Sequence, residues 1–349
     1  MVPVEWPIAT ADKDGGRLAA RVAGSGRLPL VRADFFLDPR ARLTEQERAL
    51  MTAMLSDLVA GLIDELRALL GAAEPANDDG GQVFDRLWKT GLLDIPDLIR
   101  LLLRRSEEER LSAGVRTAGA PSGSRFLQAL VGDQDPEVSA AAMALILARG
   151  RRRDRFDGPR LVFDDLSAET AVALVYAIAA GLRGDLVKRL ESAAADERLA
   201  TAVRTLLSRH DEGNRLEGHL FELVHAIERA GRLDERLIRS SLEAGEVALL
   251  AEALGRRSGI AFEVAWEHFL GGSERLALLL RMSGVSREIA GEIVTGTAGL
   301  VAGDPETGIG AFDRLGEEEV EAARKWLRLD AAYRSAICAL DSDDGQPSV

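Results

Sequence analysis

Five arginines crowd into seven positions, Arg149, Arg151, Arg152, Arg153 and Arg155, directly behind the apolar run "PEVSAAAMALILA". A guanidinium is a permanent cation whose planar fork grips a carboxylate or phosphate through two hydrogen bonds. Cations at a helix C-terminus are worth about 0.3–1 kcal/mol against the macrodipole, which accounts for Arg149 and Arg151. The other three exceed what a helix end needs. Together they read either as a solvated loop or as a candidate partner or anion site, suited to an acidic or phosphorylated protein segment, a nucleotide or RNA. The segment that follows, "RFDGPRLVFDDL", carries Asp157, Asp164 and Asp165, which offer neutralisation from within the chain.

A second pattern, "GHLFELVHAIERA", sets His219, Glu222, His225 and Glu228 three residues apart. A Glu-x-x-His pair can ligate one ion in a helical bundle, provided a second such pair faces it. The other two histidines, His210 and His268, have no glutamate three residues before them. Steps of three also drift by about 60° each around a helix, so the four groups cannot converge. A metal-dependent enzyme using His219, Glu222 and His225 therefore ranks third among the functional readings, and no metal is assigned. For nucleophilic chemistry there is no G-x-S-x-G elbow, and the single cysteine, Cys338, sits in an apolar helical context. "GTAGLVAGDPETGIG" lacks the G-K-[ST] element of a phosphate loop and reads as a connection. No catalytic residue and no cofactor is expected.

The elements that hold these residues are helices. Ala and Leu dominate and aromatic content is 5%, so the core must be aliphatic, and such residues lose little side-chain entropy in a helix. "TEQE" at Thr44 offers a capping box. Behind it, Leu50, Met54, Leu58, Leu62, Leu66 and Leu70 run beside Met51, Leu55, Val59 and Ile63, and Gly71 suits a left-handed stop. A series of short helices follows, including Pro136–Arg149, Ala168–Leu182, Asp185–Ala195 and Arg215–Arg229, with Gly150, Gly231, Gly245 and Gly271 as expected stops. Met143 and Leu147 are expected in an inter-helix core. No apolar stretch reaches the roughly 20 residues of a membrane span.

The net charge of −13 disfavours nucleic acid as a partner of the whole surface. Four lysines stand against forty arginines, which a GC-rich coding sequence explains without function. One cysteine excludes an intrachain disulfide, and no signal peptide is evident, so a cytoplasmic protein without membrane attachment is expected.

Short helices are unstable alone and must stack, which suggests an all-α, HEAT-like α-solenoid of antiparallel helices with partly degenerate repeats. "DQDPEVSAAAMALILA" has the Asp-Pro start and small residues of a HEAT first helix. The expected organisation is a flexible arm over 1–31, a helical-repeat domain over 32–340 and a disordered acidic tail over 341–349, with possible divisions near 72–81 and 150–163. Three stretches, "RADFFLDPRARLTEQERALMTAMLSDLV", "DDLSAETAVALVYAIAAGLR" and "RAGRLDERLIRSSLEAGEVALLAEALGRRSG", resemble an uncharacterised, mainly alphaproteobacterial family of HEAT-like helical proteins catalogued as a domain of unknown function. The resemblance implies the fold and carries no activity. The expected function is a non-enzymatic adaptor that binds a protein partner, in bacterial regulation or signalling. The alternative is a nucleotide or nucleic-acid binder using the Arg149–Arg155 loop.

Overall fold

The computed structural model describes residues 43–71, 80–115, 123–155, 158–188, 190–301 and 304–343. The expected arm over 1–31, Asp157 and the tail beyond Asp343 lie outside them. Among the described residues there are sixteen α-helices and two three-residue 3₁₀ turns, so the chain is all-α. They fall into two compact units, one closing at Leu250 and the other opening at Ala251.

The first unit holds α1 (Glu45–Leu69), α2 (Gly80–Lys89), α3 (Pro96–Val115), α4 (Gly123–Val131), α5 (Pro136–Arg151), α6 (Ala168–Val187), α7 (Ser192–Leu207), α8 (Leu216–Arg229) and α9 (Glu235–Ala244). The Thr44 capping box forms: its hydroxyl accepts from the Glu47 amide at 3.2 Å, and the Glu47 carboxylate accepts from the Thr44 amide at 3.2 Å. Both apolar rows of α1 are used, with Met51, Met54, Leu55, Leu58, Val59, Leu62, Ile63 and Leu66 all buried. Each such burial is worth about 1.5–3 kcal/mol, so α1 is the axis of the unit. It packs against α2, α3, α6 and α7, while α4 and α8 flank α5. Helices distant in sequence are thus neighbours here, whereas in a strict array each pair contacts mainly the next.

Two expectations need correction. Met143 and Leu147 are not core residues: they are 44% and 59% exposed. The buried face of α5 is Val138, Ala142, Leu145 and Ala148. Leu147 is two positions from Leu145, about 200° around the helix, so burying one exposes the other. Because α5 is apolar on every side, its periodicity could not say which side faces inward. Leu145→Ala is therefore expected to cost about 2–5 kcal/mol, and Leu147→Ala less than about 1 kcal/mol, as read by denaturant unfolding. Equal losses would contradict this orientation.

The second correction concerns glycine. The expected stop at Gly150 is absent, since α5 continues to Arg151, and the expected break between Leu182 and Asp185 lies inside α6. Gly181, also within α6, serves close packing: a β-carbon there would stand 2.8 Å from Val83 Cγ1 of α2. Read through its glycines, α6 is 20 residues long and apolar enough to cross a membrane on length and composition alone, contrary to expectation. One side of it belongs to the core, with Leu174, Val175, Ile178 and Leu182 buried in the main apolar cluster. Gly71, Gly231 and Gly245 do adopt the left-handed conformation, whereas Gly271 does not, and Gly272 takes the positive φ instead.

The second unit takes in most of α10 (Val247–Ser258) and α11 (Phe262–Leu270), α12 (Ser273–Met282), α13 (Arg287–Gly296), α14 (Pro305–Arg314), α15 (Glu317–Leu327) and α16 (Ala331–Asp343). Its hub is α12, which contacts α11, α13, α14 and α15. Among its described residues, Glu252 and His268 are buried ionisable groups. Burial and the nearby Glu263 push the Glu252 carboxyl up to about 7, with Arg256 opposing. Burial holds His268 down to about 4, despite its 2.8 Å contact with the Val264 carbonyl.

A cleft lined by arginines

A cleft in the first unit encloses about 610 Å³, within the range of small-ligand sites. Its walls are the second half of α3, the start of α4, the end of α5 with the turn behind it, and the junction of α9 with α10. Arg105, Arg149, Arg152, Arg153 and Arg160 line it, so three of the five predicted arginines share one cavity with two that sequence reading did not single out.

Geometry separates these arginines sharply. Arg152 is buried, with every nitrogen engaged. Its Nε donates to Asp165 Oδ1 at 2.8 Å, one terminal nitrogen to the Ala148 carbonyl at 2.8 Å, and the other to the Asn214 carbonyl at 2.8 Å. Asp165 is wholly buried and also accepts from the Val162 amide at 3.1 Å. Arg152 is thus a structural cation, removed from solution by the neutralisation that the following aspartates offered. Asp164 goes elsewhere, accepting from the Asp211 amide and the Asn214 side chain.

Arg149 reaches Glu246 at 2.7 Å. That carboxylate is buried against the start of α4, where a β-carbon at Gly123 would stand 2.2 Å from Glu246 Oε1. The contact joins α5, α4 and the α9–α10 junction, and Gly123 is the residue that leaves room for it. Arg153 pairs with Glu109 at 2.9 Å, both side chains about one-third exposed. Arg151 ends α5 and Arg155 lies beyond it, both exposed. Among the described residues, Arg151 and Arg160 have no carboxylate at ion-pair distance.

Beneath the cleft runs an ionic network that the sequence hid. Glu217 at the start of α8 accepts from Arg105 at 2.6 Å and also from Arg104. Burial pushes its carboxyl up, but the two arginines overcome this and hold it down to about 2. Arg105 also pairs with Glu108 at 3.0 Å and stands 3.9 Å from Asp165. Within "LRRSEEER", Arg104, Arg105, Ser106 and Glu107 are all buried despite their polarity. The one available signal was Leu101–Leu103 directly before it, an apolar run that carries the helix inward.

The histidine pattern on α8 does not converge. His219 Nε2 lies 3.1 Å from Asn214 Oδ1, and burial with Arg152 and Arg151 holds its pKa below the ordinary value. His225 stands 3.5 Å from Glu228 and stacks on Phe221 at 5.8 Å. Glu222 is exposed. Among the described residues no three metal-capable side chains are grouped.

No curated protein and no solved structure matches the chain. A family model does, over residues 90–319, which takes in the cleft, the ionic network and most of the second unit. The chain belongs to that family, the uncharacterised proteins conserved in bacteria known as domain of unknown function 2336.

Proposed function

We propose that this chain is a non-enzymatic, cytoplasmic helical module that binds a protein partner in bacterial regulation or signalling. One observation carries the reading. On α6, the face turned away from the core presents Val172 and Tyr176, 43% and 52% exposed, one turn apart, with Ala173 and Ala180 beside them. A helix apolar on both faces is normally covered on both, and an exposed apolar stripe is the usual mark of a contact surface. Tyrosine is also enriched where interfaces concentrate their binding energy. The Asp-Pro start of α5 and the small buried Ala142 and Ala148 support a HEAT-like origin for these helices.

The test is site-specific photo-crosslinking in the native cell, with a benzophenone amino acid replacing Tyr176. One partner should be captured from Tyr176 and lost in the Val172→Glu variant, while the same probe at the exposed Lys188 captures none. Equal capture from both positions, or robust turnover in an unbiased substrate screen, would overturn the reading.

A further inference from the structure

The outward face of α5 is a different surface from that of α6, and its pattern is unusual. Glu137, Ala140, Ala144, Leu147 and Arg151 follow at steps of three and four, so they form one stripe, with Met143 beside it. None of these residues is buried, and Met143 and Leu147 are the large apolar members. Read backwards, the stripe is nearly the same: a charge, a small or large apolar residue, a small centre, an apolar residue and a charge. The sign at the two ends is exchanged, and Leu147 stands in the place of Ala140.

A palindromic apolar stripe with opposite charges at its ends is complementary to itself in the antiparallel sense. We infer that α5 pairs antiparallel with α5 of a second copy of this chain, about a two-fold axis passing between Met143 and Ala144. Such an isologous contact sets each residue against its mirror position. Leu147 of one copy falls on Ala140 of the other, and Met143 on Ala144, large against small, which lets the helices approach closely. The helix dipoles oppose each other favourably. Arg151 arrives at the acidic start of the other α5. It has no carboxylate at ion-pair distance among the described residues, so nothing there must be broken to receive it. Glu137 pairs with Arg229 at 3.0 Å, but both side chains are more than half exposed and its carboxylate can take a second cation.

The contact is small. One helix pair buries less than the roughly 1,200 Å² of a standard interface, so a dissociation constant in the micromolar range is expected.

Sedimentation velocity of the full chain from about 1 to 200 μM should show a monomer–dimer equilibrium in that range. Leu147→Glu should weaken it at least about tenfold, with thermal stability unchanged because the side chain is outside the core. Arg151→Glu should weaken it about fivefold, and the Glu137→Arg/Arg151→Glu double variant should restore it. Ala144→Cys in a Cys338→Ser background should oxidise to a covalent dimer. A monomer at every concentration, a dimer indifferent to Leu147→Glu, or failure of the double variant to restore pairing would overturn the inference. None of these outcomes touches the Tyr176 crosslinking result.

Discussion

Arg152→Ala is expected to lower the stability of the first unit by about 3–5 kcal/mol, since it leaves Asp165 as a buried charge without its principal cation. Asp165 has no exposed surface, and its next nearest guanidinium, Arg105, stands 3.9 Å away and is already committed to Glu217 and Glu108. The same substitution frees the carbonyls of Ala148 and Asn214, which hold the end of α5 to the start of α8. The Arg152→Ala/Asp165→Ala double variant should recover part of the loss, because removing both charges removes the desolvation cost along with the attraction. Chemical denaturation of the wild type, both single variants and the double completes the cycle. Additive losses would show that the two side chains act independently, contrary to the geometry. A consequence follows for binding studies. Arg152 should be left intact in any test of anion affinity, and Arg151 with Arg160 are the pair to change.

Glu252→Gln is expected to stabilise the second unit at neutral pH and to reshape its pH profile. The Glu252 carboxyl ionises near pH 4.5 when the chain is unfolded and near 7 when folded. Between those values the folded state holds more protons than the unfolded state, so stability falls as pH rises. The full penalty, on the order of 3 kcal/mol for a shift of this size, is present above pH 7. His268 works in reverse: its folded value near 4 lies below the unfolded 6.5, so stability rises with pH across that window and is lost in acid. The two slopes oppose each other from about pH 4.5 to 6.5, and the wild type should be nearly flat there. With glutamine at 252 the penalty disappears, giving a gain of about 1–3 kcal/mol at pH 7.5 after allowing for the buried amide. The histidine slope then stands alone, and stability should drop visibly from pH 6.5 towards 4.5. Urea unfolding at several pH values distinguishes the cases, and parallel profiles for the variant and wild type would refute the assignment.

The sequence was legible wherever one face of a helix differs from the other. The two apolar rows of α1 and its Thr44 cap were readable because polar and apolar residues alternate with the helical period. The same logic fails on α5 and α6, which are apolar all round, and there burial is decided by helices far away in the chain. Glycine misled for a related reason. Gly245 stops a helix by adopting a positive φ, Gly181 admits a neighbour, and Gly150 does neither, though all three look alike in sequence. At the arginine cluster the residues were found but their roles were not. Arg152 and Arg151 are adjacent, yet one is buried on Asp165 and the other exposed, because a single step turns a side chain by about 100°. Glu217 and Glu246 could not be seen from the cluster at all, since they come from α8 and the α9–α10 junction.

That distance has a kinetic side. The Glu217 contacts with Arg104 and Arg105 close over 113 and 112 residues, and Arg152 reaches Asn214 over 62. Loops of that length are closed late, because their entropy must be met before the contact repays it. During synthesis α3 leaves the ribosome with two arginines destined for burial and without the carboxylate that will neutralise them. It can settle fully only when α8 has emerged. Should α8 dock one turn out of place, Glu217 moves by about 5.4 Å and both arginines are stranded in a dry interior. A misaligned packing of the first unit would therefore carry two unneutralised buried cations, a cost that the aliphatic core alone does not impose.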